Sequence, residues 1–380
     1  MADSDTTRGA SETGDPLLFT PGPLTTSRTV KAAMLHDWGS RDPAFLTVNA
    51  ELLEELAGIV NARGSHVTVP LAGSGTAAVE AMLTTFVPRD GAALLLCNGV
   101  YGERAQRICA IAARRCMLHR TCEDTPPDVA AIDHLLAREA SITHVFLVHC
   151  ETTSGILNPL PAIAELTARH GRRLLIDAMS AFGALPLDAA TTPFDALAAS
   201  SNKCLEGVPG LGFVICRSTA LAACRGNATT LTLDLYDQWQ AFVASGQYRF
   251  TPPTHVIAAL WQALAELRAE GGQPGRARRY ARNCRVLIDG MRALGFIPFL
   301  PAPLQAPIIV TFHMPRGAHF AFQAFYDRLA QRGYVIYPGK LTRADSFRIG
   351  CIGRIDADHM RGLVAAVGAV LAELGVDRLD

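Results

Sequence analysis

Five short apolar runs limit what this chain can fold into: Ala92 to Cys97, His144 to His149, Arg173 to Ile176, Ala196 to Ala199 and Gly212 to Cys216. Each is apolar on consecutive positions, so each reads as a strand covered on both faces. Gly102 to Ala113, Asp128 to Ala137 and Leu160 to His170 lie between them with helical composition and period. Strand, helix and strand repeated in this way predict an α/β fold with a mostly parallel sheet covered by helices. Such sheets take ligands beyond the carboxyl ends of their strands. Asn98, Glu151, Asp177 and Lys203 all fall at or just past predicted strand ends.

A helix from about His255 to Glu270 stops at Gly271-Gly272. Beyond it, helices Arg276 to Leu294, Ala321 to Arg332 and Asp356 to Leu374 accompany strands Ile308 to Phe312, Val335 to Tyr337 and Phe347 to Ile349. At 380 residues the chain exceeds one ordinary core. The expected division is a frayed polar tail over 1–16, a large ligand-binding domain over 17–270 and a smaller α+β domain over 271–380. The tail has no apolar stretch of the kind that targets or anchors a chain, and no run is suited to cross a bilayer.

Lys+Arg and Asp+Glu are both 35, and this balance excludes the electrostatic footprint of a nucleic-acid binder. The basic cluster Arg276 to Arg285 reads as a solvated helix face. Ten cysteines are scattered without CxxC spacing. Cys97, Cys150 and Cys216 sit in apolar runs and read as small buried residues, which implies a reducing, cytoplasmic setting and no structural metal.

Lys203 lies just past one strand and Asp177 closes another. A buried amine and acid so placed suit pyridoxal 5′-phosphate (PLP): the amine forms an imine with its aldehyde, and the carboxylate keeps the pyridine nitrogen protonated. Ala72 to Glu80 follows the β-branched run Val67 to Val69 and opens a helix. Its glycines permit close backbone approach, its helix start offers N–H groups to an anion, and Ser74 and Thr76 add hydroxyls. An ordinary N-cap by Ser74 or Thr76 reads equally well here. No Gly-Lys-Ser/Thr follows, which argues against a nucleotide-binding P-loop.

Seven collinear segments complete the pattern: Phe19 to Val30, Glu151 to Gly155, Ser201 to Cys204, Leu233 to Tyr236, Arg249 to Pro252, Tyr337 to Lys340 and Phe347 to Gly350. With them the chain resembles the class V aminotransferases of PLP fold type I, from Leu17 nearly to the C-terminus. The resemblance implies a seven-stranded sheet in the large domain. It implies that Lys203 is the imine-forming and proton-moving lysine, that Asp177 meets the pyridine N–H and that Tyr101 stacks on the ring. Thr152 would bond the cofactor's 3′ oxygen, while Ser74, Gly75, Thr76 and Asn202 gather at its phosphate. Tyr248 and Thr251 would reach the partner subunit's phosphate, which implies a homodimer with shared sites. Arg348 would anchor the substrates' anionic ends, with Thr25 and Thr26 as a second contact and Arg41 a weaker candidate.

Within the family, the motifs resemble the phosphonate-handling branch. That implies amino transfer from 2-aminoethylphosphonate to pyruvate, run in either the degradative or the biosynthetic direction. An alanine– or serine–glyoxylate aminotransferase, which shares the scaffold and most cofactor contacts, is the alternative. Tyr248 stands where some phosphonate-handling members have tryptophan and alanine–glyoxylate relatives have tyrosine, whereas Thr25-Thr26 and Leu233 to Tyr236 favour the phosphonate branch. A cysteine desulfurase needs a mobile loop cysteine, whereas Cys351 lies in a strand-like segment. A PLP-binding regulator would bring a DNA-binding appendage, and no basic stripe provides one.

Overall fold

The computed structural model describes residues 9–316, 320–376 and 379. The chain opens with the short strand β1 (Leu17–Leu18) and helices α1 (Arg28–Ala32) and α2 (Pro43–Ile59). It then alternates through β2 (His66–Ala72), α3 (Gly75–Phe86), β3 (Ala92–Cys97), α4 (Val100–Ile111), β4 (Arg115–Arg120), α5 (Val129–Arg138) and β5 (Ile142–Val148). A small hairpin of β6 (Cys150–Glu151) and β7 (Ile156–Leu157) precedes α6 (Leu160–Arg169), β8 (Arg173–Asp177), β9 (Ala196–Ser200) and β10 (Leu211–Arg217). Four helices follow: α7 (Ser218–Ala222), α8 (Leu235–Ser245), α9 (Thr254–Ala269) and α10 (Gly272–Ala293). The C-terminal part holds β11 (Ile309–His313), α11 (Phe322–Gln331), β12 (Tyr334–Val335), β13 (Tyr337–Pro338), β14 (Ser346–Gly350) and α12 (Ala357–Glu373).

Seven strands form the main sheet in the order β2-β10-β9-β8-β5-β3-β4. The five from β9 to β4 are parallel, and β10 runs antiparallel to both of its neighbours. Alternate residues explain why the strands read as continuous apolar runs. Leu94 and Leu96 of β3 enter one core, packed with Phe45 and Leu52 of α2 and Ile257 of α9. Ala93 and Leu95 enter the other, with Met82 of α3 and Ile108 of α4. Both faces are therefore buried, as a parallel sheet requires. Edge strand β4 (Arg-Cys-Met-Leu-His-Arg) is only half-buried, and its polar composition gives no comparable signal.

Beyond the break at Gly271, a third core gathers Phe296, Phe312, Phe325 and Phe347 over the sheet β11-β14-β13. Leu17 and Phe19 pack into this same core, because β1 pairs in parallel with β12. The expected strand Val335 to Tyr337 is thus two strands divided at buried Ile336, one pairing with β1 and one with β14. Of the expected tail, residues 1–8 lie outside the described residues. Residues 9–15 are tied down rather than frayed: Gly9 N–H donates to Arg332 O (2.8 Å), Glu12 accepts from Arg354, and Asp15 pairs with Lys31.

The basic cluster on α10 also departs from expectation. Arg276 is 1% exposed. It pairs with Glu270 at 2.6 Å, and Arg279 pairs with Glu206 and Glu270, both at 2.7 Å. Tyr280 donates its hydroxyl to Glu206 at 2.5 Å. This face looks inward because two carboxylates, one of them distant in sequence, await it there.

Candidate active site

The parallel order changes direction between β5 and β3, and the loops leaving those two strands part at that point. A cavity of about 480 Å³ opens at this carboxyl edge, within the range of ordinary small-molecule sites. Ser74, Gly75 and Thr76 line it at the start of α3, Tyr101 and Arg104 at the start of α4. Asp177, Asn202 and Lys203 line it from the ends of β8 and β9.

Lys203 is withdrawn from water, and burial pulls its amine down to about 8. Its Nζ donates to Pro21 O. Gly22 sits at φ +125°, and a Cβ there would fall 2.6 Å from Nζ, so the N-terminal turn lies directly against the amine. Burial pushes Asp177 up to about 6. The Met179 N–H, donating to Asp177 Oδ1 at 2.9 Å, and the charges of Arg104 and Lys203 act in the opposite direction.

Ser74 is both N-cap and cavity wall: its hydroxyl accepts from Ala77 N–H at 3.4 Å while its residue borders the cavity. A Cβ on Gly75 would lie 2.2 Å from Met179 Sδ, so a side chain there would have to displace the methionine. Asn202 Oδ1 accepts from Ser200 Oγ at 3.0 Å. Tyr101 N–H donates to Glu151 Oε2 at 3.2 Å, and Thr153 donates to Glu151 through its N–H (3.1 Å) and hydroxyl (2.5 Å). Glu151 is fully buried, and burial pushes it up to about 7.

Arg348 stands on β14 opposite Tyr337, whose ring its guanidinium covers at 5.1 Å. Its Nε donates to Pro338 O (3.0 Å) and Nη1 to Thr152 O (2.8 Å). Nη2 and the Thr152 hydroxyl are buried with no partner. A buried polar atom without a partner costs about 1–3 kcal/mol, so both positions favour a ligand that completes them.

Thr152, Arg348, Thr25, Thr26, Tyr248, Thr251 and Arg41 are not among the residues that line this cavity. Thr25 and Thr26 line a separate, smaller one with Glu12, Arg354 and His359. The Thr25 hydroxyl instead accepts from Leu18 N–H at 2.8 Å, anchoring β1. Tyr248 packs on Phe242 at 5.0 Å with its hydroxyl buried and unpartnered in its own chain, and Thr251 is exposed. Arg41 is exposed and lines none of this cavity. Cys351 is fully buried in the C-terminal core. Sequence reasoning missed Arg104 and Met179. Arg104 had a signal, its place three residues after Tyr101 on the same helix face. Met179 had none. No helix among the described residues is long and apolar enough to cross a membrane.

The profile of the aminotransferase class-V family matches residues 51–339, and the chain belongs to that family. A relative from Pseudomonas putida (strain GB-1), named 2-aminoethylphosphonate–pyruvate transaminase, is 55% identical over 361 residues, 95% of this chain and 98% of its own. A protein of the same name from Pseudomonas fluorescens (strain Pf0-1) is 54% identical over 364 residues, 96% of this chain and 99% of its own. The solved alanine–glyoxylate aminotransferase of Nostoc sp. superposes with a TM-score of 0.88 at 24% identity, covering 98% of this chain and 100% of its own. Pyridoxamine–pyruvate aminotransferase of Mesorhizobium loti gives 0.87 at 24% identity, with 96% and 94% covered. The fold is PLP fold type I, and PLP is the cofactor of the family. The residues present fit it: the Ser74 and Thr76 hydroxyls stand at a helix start, the Thr152 hydroxyl lacks a partner, and an acid and an amine share the cavity.

Proposed function

We propose that this chain transfers the amino group of 2-aminoethylphosphonate to pyruvate, giving phosphonoacetaldehyde and L-alanine. The names of relatives more than 50% identical over nearly the whole chain support these substrates. The structural observation that carries the reading is buried Arg348 with one free nitrogen, near a cavity that holds Lys203 and Asp177.

When bound, PLP supplies an aldehyde that takes up the amino group and a ring that accepts the electron pair. Lys203, with its amine near 8, is neutral in about a tenth of molecules at pH 7. In that form it can take the proton from the carbon bearing nitrogen and return it in the other half-reaction. Asp177, as a carboxylate, would hold a proton on the ring nitrogen, and that positive charge would in turn favour its ionised form. Thr152 meets the 3′ oxygen, Tyr101 covers the ring, and Ser74, Gly75, Thr76 and Asn202 receive the phosphate. Two backbone carbonyls fix the Arg348 fork, and its remaining nitrogen is left for a carboxylate or a phosphonate. One anchor can therefore serve both substrates.

The chain would act in the cytoplasm as a homodimer, with Tyr248 and Thr251 completing the partner's phosphate site. Exposed Leu231, Val243 and Phe250, in the segment that leads to Thr251, support a subunit contact there. The test follows alanine and aldehyde formation from 2-aminoethylphosphonate and pyruvate. Wild type is expected to turn over and Lys203→Ala to be inert. Turnover with alanine and glyoxylate, but none with the phosphonate, would replace this reading.

A further inference from the structure

Arg104 brings a full positive charge to the cavity, and no carboxylate among the described residues lies within ion-pair distance of it. It follows Tyr101 by three residues, so both side chains leave one face of α4. Its Nη1 donates to Thr76 Oγ1 at 3.0 Å, and its guanidinium carbon lies 4.8 Å from the Tyr101 ring centre. Among the described residues it forms no ion pair. The cradle it touches is otherwise uncharged, made of the Ser74 and Thr76 hydroxyls and the first N–H groups of α3. A phosphate monoester carries about 1.5 to 2 negative charges at neutral pH, and a helix start offers about half a positive one. A cradle of hydroxyls and one helix start therefore leaves roughly a whole charge unbalanced.

Arg348 cannot supply it, because two of its nitrogens are committed to Pro338 O and Thr152 O and it is not among the residues that line the cavity. Lys203 is committed to the aldehyde end. We propose that Arg104 is the counter-charge of the cofactor's phosphate, one nitrogen on Thr76 Oγ1 and the rest of its fork on phosphate oxygen. This rests on the reading of the cavity as a PLP site. Arg104 thereby links the phosphate cradle on α3 to Tyr101 on α4, so loading the cofactor also sets the ring that covers it. The direction in which Arg104's charge moves Asp177 and Lys203 agrees with this position.

The test measures equilibrium binding of pyridoxamine 5′-phosphate and of pyridoxamine to the full-length apoprotein. Neither has an aldehyde, so capture by Lys203 does not contribute. In Arg104→Gln the phosphorylated compound is expected to bind at least about tenfold more weakly, the scale of a lost charge-assisted contact. Pyridoxamine should change less than twofold, and Arg104→Lys should recover part of the loss. An unchanged ratio of the two affinities overturns the role of Arg104, whether both ligands weaken or neither does. Wild type that binds neither compound overturns the cofactor reading itself, and this proposal with it. Far-ultraviolet circular dichroism of both variants separates lost binding from lost folding.

Discussion

Just past Lys203 along the chain, Glu206 and Glu270 each bridge both Arg276 and Arg279, and none of their buried polar atoms lacks a partner. Beside the cavity, Arg348 and Thr152 each keep a buried polar atom with nothing to bond, and Arg104 forms no ion pair among the described residues. Arg276 in the first region and Arg348 in the second are equally hidden from water. In the first the chain supplies every counter-charge itself. Glu206 is even held at φ +61°, in the left-handed region that side chains rarely enter, to reach its partners. In the second the counter-charges must arrive from outside. Pairing within the chain marks a joint between parts of the fold; charge left over marks a place for a ligand.

The largest effect should come from breaking the paired region. Glu206→Gln leaves two arginines short of a carboxylate and should cost about 3–5 kcal/mol of unfolding free energy. Urea denaturation of the apoprotein measures it, and a loss below about 1 kcal/mol would remove the contrast between the regions. Arg348→Ala should show the opposite pattern. Its KM for both 2-aminoethylphosphonate and pyruvate should rise about 10- to 100-fold, the value of a charged hydrogen bond, with a smaller stability loss than Glu206→Gln. A rise for pyruvate alone would mean that the phosphonate has a different holder.

The finest distinction concerns Glu151. Its folded value of about 7 lies above its ordinary 4.5, so the native state keeps a proton that the unfolded chain releases between those values. The cost of that burial is absent below about pH 4.5 and complete above about pH 7. Glu151→Gln should therefore gain on wild type as pH rises from 5 to 8, by about 2–3 kcal/mol. Melting temperatures at the two pH values measure the gap. A gap that stays constant would place Glu151 with the fully paired acids.

Much of this was legible because the strands are buried on both faces and the chemistry sits at their ends. Lys203 and Asp177 each follow a recognisable strand, so position pointed to them, whereas Tyr101 rested on the resemblance and Ser74 read equally well as an ordinary N-cap. Arg276 was not legible, since its partner Glu206 belongs to a distant turn and a run of arginines on a helix ordinarily faces water. Thr25 stands in the most specific motif of the chain, yet its hydroxyl holds β1 in place. Tyr248 packs on Phe242 with its hydroxyl buried and Thr251 is exposed, so the motif that holds them did not reveal where the chain would place them.

The pairing of Leu17–Leu18 with Tyr334–Val335 has a consequence for synthesis. A ribosome makes the turn at Pro21 early and Lys203 midway, but the strand that seats that turn against the amine emerges near the end of translation. The nucleophile is thus on a nascent polypeptide well before its cover can close, and a messenger truncated ahead of codon 334 would yield a chain with an open, unfinished pocket.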